Sequence, residues 1–344
     1  MIVISIDAMG GDYGPDVTVP AAIAVLKRHP ELKLVLVGDQ EVLQKKIAKL
    51  NYVNDGRLTI QHASEQVAMD ESPAKALRTK KDSSMRVAIN LVKEGATQAV
   101  VSAGNTGALM ATARFVLKTI SGVDRPAIMV SLPTFNPVKT VRVLDLGANV
   151  DSDVNHLYQF AVMGSVLVKA VDGIAKPRVG LLNIGSEDIK GNEQVKQAGN
   201  LLAQDQKLNY IGYIEGDAMF KGEVDVVVCD GFIGNVALKC VEGIAKLIAH
   251  YVKRAFTKNL FTKLIALIAL PVLKPLAEDL DPGRRNGASL IGLQGIVIKS
   301  HGGAKTLAFA QAIEEAILEV EKNVPQLIGE EVSKQLENVS QTNI

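Results

Sequence analysis

The sequence is poor in aromatic residues and in cysteine. Its 344 residues include no tryptophan, and aromatic side chains make up only 4% of the chain. This scarcity argues against a platform of aromatic rings on which nucleic-acid bases stack. The two cysteines, Cys229 and Cys240, are too far apart for a CxxC motif and do not form a disulfide framework. We expect them to be buried thiols in a reducing cytoplasm.

Signatures of several enzyme classes are missing as well. There is no GxxxxGK[ST] phosphate-binding loop, and no GxGxxG follows a predicted strand, which disfavours P-loop kinases and dinucleotide-dependent enzymes. No GxSxG sequence offers a serine nucleophile. The five histidines are scattered without the spacing of a zinc site, so we predict no metal and no cofactor. A formal net charge of +1 gives no general signal for nucleic-acid binding.

Short apolar runs alternate with helical patterns along the chain. Most runs are continuously apolar, as in strands buried on both faces of a parallel sheet. This alternation predicts a doubly wound α/β fold with a largely parallel sheet, formed as a single domain over residues 1–344. The predicted strands are Ile2–Ile6, Leu34–Val37, Ala99–Ser102, Ala127–Ser131, Val141–Leu146, Val179–Ile184, Tyr210–Ile214, Val224–Cys229 and Ile296–Lys299. The segment after Val324 is predicted to be a polar tail.

One segment departs from this rhythm, at about residues 243–280. Between Gly243 and Ala277 there is no acidic residue, whereas lysine and arginine recur. The sequence predicts a protruding amphipathic helix there, with Lys258 and Lys263 on its polar half. The apolar half contains Phe256, Leu260, Leu264, Leu267 and Ile268. Two interpretations remain open, a buried hairpin or dimer interface and a helix lying in a membrane surface.

Glycine and polar residues follow most of the predicted strands. Since ligands of open α/β sheets bind beyond the carboxyl ends of the strands, we expect these segments to form a cleft at one edge of the sheet. Its supporting residues are predicted to be Asp7, Gly10, Gly11, Asp12, Glu187, Asp230 and His301. The carboxylates have two possible roles, as ligands of Mg²⁺ or as helix caps and partners of Lys190.

The turn after Ala99–Ser102 leads directly into a helical pattern. Its predicted anion-binding residues are Ser102, Gly104, Asn105, Thr106 and Gly107. A helix N-terminus offers unpaired N–H groups and a partial positive charge, which together attract phosphate. The same residues also suit a tight turn with an N-cap and no ligand.

Six motifs, taken together, resemble the bacterial PlsX family. They are DAMGGD, SAGNTGALMA, LDLGANV, NIGSEDIKGNE, DGFIGNVALK and VIKSHGGA, and the resemblance runs from about Met1 to Glu321. It implies a homodimer with a fold like that of phosphate acetyltransferases and isocitrate dehydrogenase. It further implies transfer of a long-chain acyl group from an acyl carrier protein thioester to inorganic phosphate, without a metal. The acyl phosphate would supply a membrane-bound glycerol-3-phosphate acyltransferase, at the inner face of the cell membrane.

The family's IKGN and GFxGN motifs imply that Lys190 and Asn235 are catalytic. Lys190 would place a positive charge beside phosphate or the tetrahedral intermediate, and Asn235 would donate to the oxyanion. Acyl carrier proteins are acidic, so basic residues near the apolar helix are candidates for binding them: Lys263, Lys274, Arg284 and Arg285. Two alternatives stay open, a short-chain phosphate acyltransferase that uses coenzyme A and a non-catalytic scaffold that binds acyl carrier protein at the membrane.

Overall fold

The chain forms one large mixed sheet that is mainly parallel. The computed structural model describes residues 1–279 and 285–342, and eleven strands lie in those ranges in the order β3-β2-β1-β4-β11-β10-β5-β6-β9-β7-β8. The strands are β1 Ile2–Asp7, β2 Leu32–Gly38, β3 Leu58–His62, β4 Ala99–Ser102, β5 Ala127–Pro133, β6 Thr140–Leu144, β7 Arg178–Leu182, β8 Asn209–Ile214, β9 Val226–Val228, β10 Ala288–Ile291 and β11 Ile296–Lys299. The predicted α/β fold with a largely parallel sheet is confirmed.

Helices cover both faces of this sheet. They are α1 Pro15–Leu26, α2 Gln40–Lys49, α3 Pro73–Thr79, α4 Ser84–Lys93, α5 Thr106–Leu117, α6 Val154–Val171, α7 Glu193–Gln204, α8 Gly231–Thr257, α9 Leu260–Asp279, α10 Thr306–Lys322 and α11 Val324–Thr342. Consecutive residues of the central strands point to opposite faces. Val100 of β4 packs in a cluster with residues of α4 and α5, whereas Val101 packs in a cluster with residues of α1 and α10. This burial on both faces explains the continuous apolar runs.

The strands do not all end at the same edge. Strands β1, β4 and β11 are mutually parallel, but the pairs β11–β10, β10–β5 and β5–β6 are antiparallel. Three reversals leave β6, and with it the parallel strands β9 and β7, running opposite to β11. The prediction that all the glycine-rich strand ends share one edge was therefore wrong. They form two groups, one after β1, β4 and β11 and one after β6, β9 and β7.

Strands β3 and β10 were absent from the sequence-based prediction. Strand β3 lies at the edge of the sheet and buries only Leu58 fully, so its apolar signal is weak. Strand β10 has only four residues and follows a glycine at φ +125°, Gly287. Such short elements carry little periodicity, which is why they were missed.

Helices α8 and α9 leave the body of the fold. Of the residues of α8, only Gly231 and Gly234 are fully buried. In the part of the chain that the structure describes, no single helix is long and apolar enough to span a bilayer. Helix α8 and the segment Leu260–Lys274 pass that length and composition test only as a pair, which is bent by 118°.

The bend corrects the predicted single amphipathic helix. The Asn259 side chain accepts a hydrogen bond from the Thr262 N–H at 2.9 Å, and the Asn259 N–H donates to the Thr262 hydroxyl at 3.0 Å. This reciprocal pair starts a new helix at Leu260. Phe256 therefore lies near the end of α8, whereas Leu264 belongs to the next helix, α9.

The segment after Val324 is not simply a polar tail. It forms helix α11, and its apolar residues Val324, Ile328 and Val332 are buried in a cluster with residues of α6. These three residues are spaced four apart, so their side chains lie on one face of α11. This face packs against α6.

Candidate active site

The turn between β4 and α5 presents two free backbone donors. Asn105 caps α5, because its Oδ1 accepts from the Ala108 N–H at 2.9 Å. Its Nδ2 donates to the carbonyl oxygens of Met69 and Glu71 at 2.8 and 3.0 Å. Among the described residues, the N–H groups of Thr106 and Gly107 find no acceptor, and both residues are exposed. The turn thus has the open donors of an anion site.

A buried carboxylate holds this turn from beneath. The Asp7 side chain accepts from the hydroxyls of Ser84 and Ser102, both at 2.6 Å. The Ser102 oxygen in turn accepts from the Gly104 N–H at 3.0 Å. Burial raises the pKa of Asp7, and the two serine hydroxyls oppose that shift. Ser102 is therefore fixed within the turn's own framework.

Three glycine-containing loops meet around the turn. A Cβ added to Gly10 would lie 2.9 Å from the Gly104 nitrogen, and one on Gly11 would lie 3.0 Å from the Gly302 carbonyl oxygen. Gly11 also has a φ of +89°, a conformation that favours glycine. The Asp12 N–H donates to the same Gly302 carbonyl at 2.9 Å. The loops after β1, β4 and β11 come together here, as the sequence predicted for these strands.

His301 belongs to the loop after β11 and supports that loop. Its N–H donates to the Asn286 Oδ1 at 2.9 Å, and its Nδ1 accepts from the Gly303 N–H at 3.1 Å. One ring nitrogen is thereby used within the loop, which favours the structural interpretation of this histidine.

Lys299 was missed by the sequence analysis, although it lies at the centre of this group. It is the last residue of β11, its exposed fraction is 8%, and its Nζ donates to the carbonyl oxygens of Ala103 (3.3 Å) and Ser300. Burial lowers the pKa of Lys299 to about 8, and the nearby carboxylates of Asp7 and Asp12 oppose this shift. A lysine that ends a buried apolar strand, as in IVIK, was the available signal.

The second group of strand ends is organised by two acidic residues. Asp230 caps α8, because its Oδ1 accepts from the Phe232 N–H at 2.9 Å and its Oδ2 accepts from the Ser152 N–H at 2.9 Å. Asp145, which the sequence analysis missed, accepts from the Ile128 N–H at 3.0 Å and the Asn149 N–H at 2.8 Å. Both carboxylates shape loops, so Asp230 does not orient Lys190 as one interpretation expected.

Lys190 and Asn235 belong to this second group. Both are exposed, and they follow the neighbouring parallel strands β7 and β9. Asn235 lies over Gly147, where an added Cβ would be 3.3 Å from its Cγ. Lys190 and Glu187 fold over Gly185, where an added Cβ would be 3.0 Å from the Lys190 Cγ and 2.7 Å from the Glu187 Oε2. Within the described residues, no hydrogen bond or ion pair joins Lys190 to Asn235 or Glu187 through their side chains.

A cavity of about 380 Å³ opens between the N-terminal ends of α7 and α8. Its buried lining is apolar and includes Leu157, Leu181, Val195 and Cys229, while Asn192, Gln194 and Asp230 line its polar part. Burial raises the pKa of the Cys229 thiol well above its usual range, with Asp145 and Asp230 adding to the shift. Cys229 is therefore an inert thiol and not a nucleophile.

Helix α8 connects the two groups electrostatically. Lys239 lies one turn after Asn235, so the two side chains emerge from the same face of α8. The positive charge of Lys239 contributes to the lowered pKa of Lys299. The start of α8 therefore brings the second group within electrostatic range of the first.

The carboxylates do not gather into a metal site. In residues 1–279 and 285–342, no three His, Cys, Asp or Glu side chains are placed to hold one metal ion. Asp7 receives two serine hydroxyls and Asp230 receives backbone N–H groups, so both are engaged as acceptors. The interpretation of these two residues as capping and structural carboxylates is the one that the contacts support.

Comparison with known proteins agrees with this picture. Residues 2–327 match the family model described as "Fatty acid synthesis protein". A protein of Alkalilimnicola ehrlichii named phosphate acyltransferase is 60% identical over 335 residues, covering 97% of each chain. Proteins with the same name from Legionella pneumophila and Coxiella burnetii are 58% and 59% identical, with 96% and 97% of this chain covered and 96% and 98% of theirs. The chain belongs to the fatty acid synthesis protein family. The resemblance to PlsX and the prediction of an acyltransferase are thereby confirmed.

Solved structures place this family member among phosphotransacetylase-like folds. A phosphotransacetylase from Streptococcus pyogenes superposes with a TM-score of 0.61 at 19% identity, covering 95% of this chain and 94% of that one. A branched-chain phosphotransacylase from Enterococcus faecalis gives 0.56 at 14% identity, covering 93% of this chain and all of that one. At these identities the likeness concerns the fold, which is the fold that the sequence predicted.

Most of the predicted membrane and carrier residues of this family member lie on helices α8 and α9. Leu260, Leu264, Leu267 and Ile268 of α9 are all more than half exposed, and Lys263 and Lys274 are exposed as well. Phe256 is half-buried near the end of α8. Arg285 is half-buried and has an interaction partner. Arg284 lies outside the described residues.

Proposed function

We propose that the chain transfers a long-chain acyl group from acyl carrier protein to inorganic phosphate, giving acyl phosphate for phosphatidic acid synthesis. The observation that carries this proposal is the turn after β4, with its free N–H groups on Thr106 and Gly107 above a buried lysine. Neutral backbone donors bind a phosphate anion without quenching its nucleophilicity through proton transfer. Family membership supports the same reaction class.

The chemistry needs no protein nucleophile. A phosphate oxygen attacks the thioester carbonyl carbon, a tetrahedral intermediate forms, and the carbon–sulfur bond then breaks. The thiolate that leaves accepts the proton released by the phosphate. Cys229 is buried, and Ser84 and Ser102 donate their hydroxyls to Asp7, so none of the three is available to attack a thioester.

Lys190 and Asn235 are proposed to stabilise the oxyanion of the intermediate. They follow adjacent parallel strands, and both are exposed to an incoming thioester. The turn after β4 belongs to the other group of strand ends. Phosphate bound at the turn and a thioester bound near Lys190 and Asn235 must therefore meet between the two groups. The start of α8, where Lys239 acts on Lys299, supports a meeting point along this helix.

The departing helices are proposed to serve the acyl donor and the membrane. Helix α8 exposes Ile244, Leu247 and Tyr251, an apolar face that fits a homodimer interface. Helix α9 exposes apolar side chains beside Lys263 and Lys274, which suits both an acidic carrier and an anionic lipid surface. A labile acyl phosphate released there would reach a membrane-bound glycerol-3-phosphate acyltransferase directly.

The test is phosphorolysis of a long-chain acyl carrier protein thioester, with thiol release followed in the presence and absence of phosphate. We expect release that depends on phosphate and an acyl phosphate product. Release without phosphate would identify a thioesterase and overturn the proposal. Acetyl-coenzyme A serves as the comparison substrate, and a preference for it would favour the short-chain alternative. Binding of the carrier without any turnover would favour the scaffold.

A further inference from the structure

Lys299 is a buried cation to which the reaction described above gives no role. Its exposed fraction is 8%, and two of its three N–H donors reach the carbonyl oxygens of Ala103 and Ser300. In the described ranges, no carboxylate lies within ion-pair distance of its Nζ and no acceptor is found for its third N–H. A charged lysine in such a place is costly unless something compensates its charge.

The surrounding carboxylates compensate this charge only in part. Asp7 on β1 is occupied by the hydroxyls of Ser84 and Ser102, and burial disfavours its ionised form by raising its pKa. Asp12, in the loop after β1, is exposed. From α8, Lys239 adds a second positive charge, although it pairs with Glu242 at 2.9 Å. The balance of charge behind the turn is therefore favourable to an anion.

The ammonium group is attached to the turn itself. Ala103, whose carbonyl it holds, immediately precedes Gly104 and lies three residues before Thr106. Lys299 thus hydrogen-bonds to the buried side of the turn, and the free N–H groups of Thr106 and Gly107 lie on its exposed side.

We propose that Lys299 is a positioning residue for phosphate, which fixes the Ala103 carbonyl and supplies a buried positive charge behind the open donors of the turn. The inference rests on the proposed function, because it takes inorganic phosphate as the anion that the turn binds. Lys299 acts through the turn and its field, without touching the reacting atoms.

The proposal predicts a pH dependence of phosphate binding. The pKa of Lys299 is lowered to about 8, chiefly by burial and in smaller part by the charge of Lys239, against the opposing effect of Asp7 and Asp12. Below that pH the ammonium is charged; above it the charge is lost. The phosphate KM should therefore rise as the pH increases through about 8, while the KM for the thioester stays constant.

The first test compares Lys299→Met with Lys299→Arg in steady-state phosphorolysis. Removing a hydrogen-bonded charge should raise the phosphate KM roughly ten- to hundredfold and abolish the inflection near pH 8, with little change in the thioester KM. The arginine variant stays charged at every pH used. It should keep the phosphate KM closer to that of the native protein. Like the methionine variant, it should show no inflection of the phosphate KM near pH 8.

The second test leaves Lys299 in place and changes its neighbour. Lys239→Gln removes a repelling charge, so the inflection of phosphate KM should move to higher pH. Lys246→Gln, an exposed lysine on the same helix, is the matched control and should leave the inflection where it is. The titration of phosphate itself is the same for both variants, so it cannot produce the difference.

The outcomes separate this inference from the proposed function. Absence of phosphate-dependent thiol release by the native protein would overturn the proposed function. Native turnover combined with an unchanged phosphate KM in Lys299→Met, or with equal increases in both KM values, would overturn the role of Lys299 alone. If the methionine variant does not fold, the comparison of Lys239→Gln with Lys246→Gln is the test. An inflection of the phosphate KM that remains at the native pH in Lys239→Gln then contradicts the proposal.

Discussion

At the scale of single residues, the turn after β4 uses the Asn105 side chain for structure and leaves the backbone N–H groups of Thr106 and Gly107 as donors. The Asn105 amide is fully engaged, since it caps α5 and ties the Met69–Glu71 loop to the turn. Its side chain therefore shapes the site. Any anion held there meets the backbone N–H groups of Thr106 and Gly107 instead, which belong to the first turn of a helix of 12 residues.

Thr106→Pro tests those backbone donors directly. Proline at the first helical position removes the N–H without breaking a hydrogen bond inside the helix, and its φ suits that position. We expect the phosphate KM to rise roughly tenfold, the loss of one hydrogen bond to a charged group, while the thioester KM stays constant. Thr106→Ala, which keeps the N–H and removes only the hydroxyl, is the matched control. Equal effects on both substrates would mean that the turn only supports folding.

Lys190→Ala and Asn235→Ala test the proposed oxyanion stabilisation. Loss of one preorganised donor commonly lowers kcat by about 10²–10³. Both side chains are exposed, so we expect circular dichroism and the melting temperature to remain close to native. Lys207→Ala, an exposed lysine before β8, should leave turnover unchanged. Turnover near the native rate in either variant would remove that residue from the mechanism.

At the scale of elements, α8 and α9 carry apolar surface that the other described residues leave exposed. Leu260 and Ile268 are 85% and 74% exposed, which no helix packed within the core would show. The neighbouring lysines lie on the same short helix, so apolar burial and attraction to anionic headgroups would act together. The proposed contact with a membrane surface would use both features of α9.

Replacing Leu264 and Ile268 with Glu should abolish sedimentation with liposomes that contain anionic lipid. Each apolar contact contributes about 25 cal/mol per Å² buried, and the new carboxylates are repelled by the headgroups. Thioester phosphorolysis in solution should persist. Val53→Glu with Leu307→Glu, two exposed apolar positions elsewhere, is the control and should bind liposomes normally. Loss of the dimer with unchanged lipid binding would assign α9 to a subunit interface.

At the scale of the whole molecule, the sheet brings ligand-binding loops together in two sets. Strands β10, β5 and β6 reverse the chain direction, so the loops after β1, β4 and β11 face one way and those after β6, β9 and β7 the other. Helix α8 follows β9 and carries Lys239, whose positive charge contributes to lowering the pKa of Lys299 and so links the charges of the two sets. In the proposed function, phosphate and oxyanion are therefore held by loops of different sets.

Removal of divalent metal should leave the reaction intact. The donors of the turn are N–H groups, and Asp7 and Asp230 already accept hydrogen bonds from serine and backbone groups. We expect the phosphorolysis rate after dialysis against EDTA to equal that before it. A loss of activity that Mg²⁺ restores, and that an Asp12→Asn variant no longer shows, would instead make the exposed Asp12 a metal ligand.

The sequence by itself determined the alternation of elements, the turn after β4 and the family. Continuous apolar runs, glycine-rich strand ends and six motifs are local features, and local features can be read without coordinates. The bounds of β1, β4 and β11 match their predicted runs to within a residue for the same reason.

The tertiary structure decided which of these local features meet. Strand direction depends on pairing between distant segments, so the two opposed sets of loops were not predictable from the runs alone. The burial of Lys299 arises because β11 lies beside β4, nearly 200 residues earlier in the chain, and puts its ammonium against the carbonyl of Ala103. The sequence shows only that a lysine ends an apolar run; the desolvation that lowers its pKa comes from the packing around it.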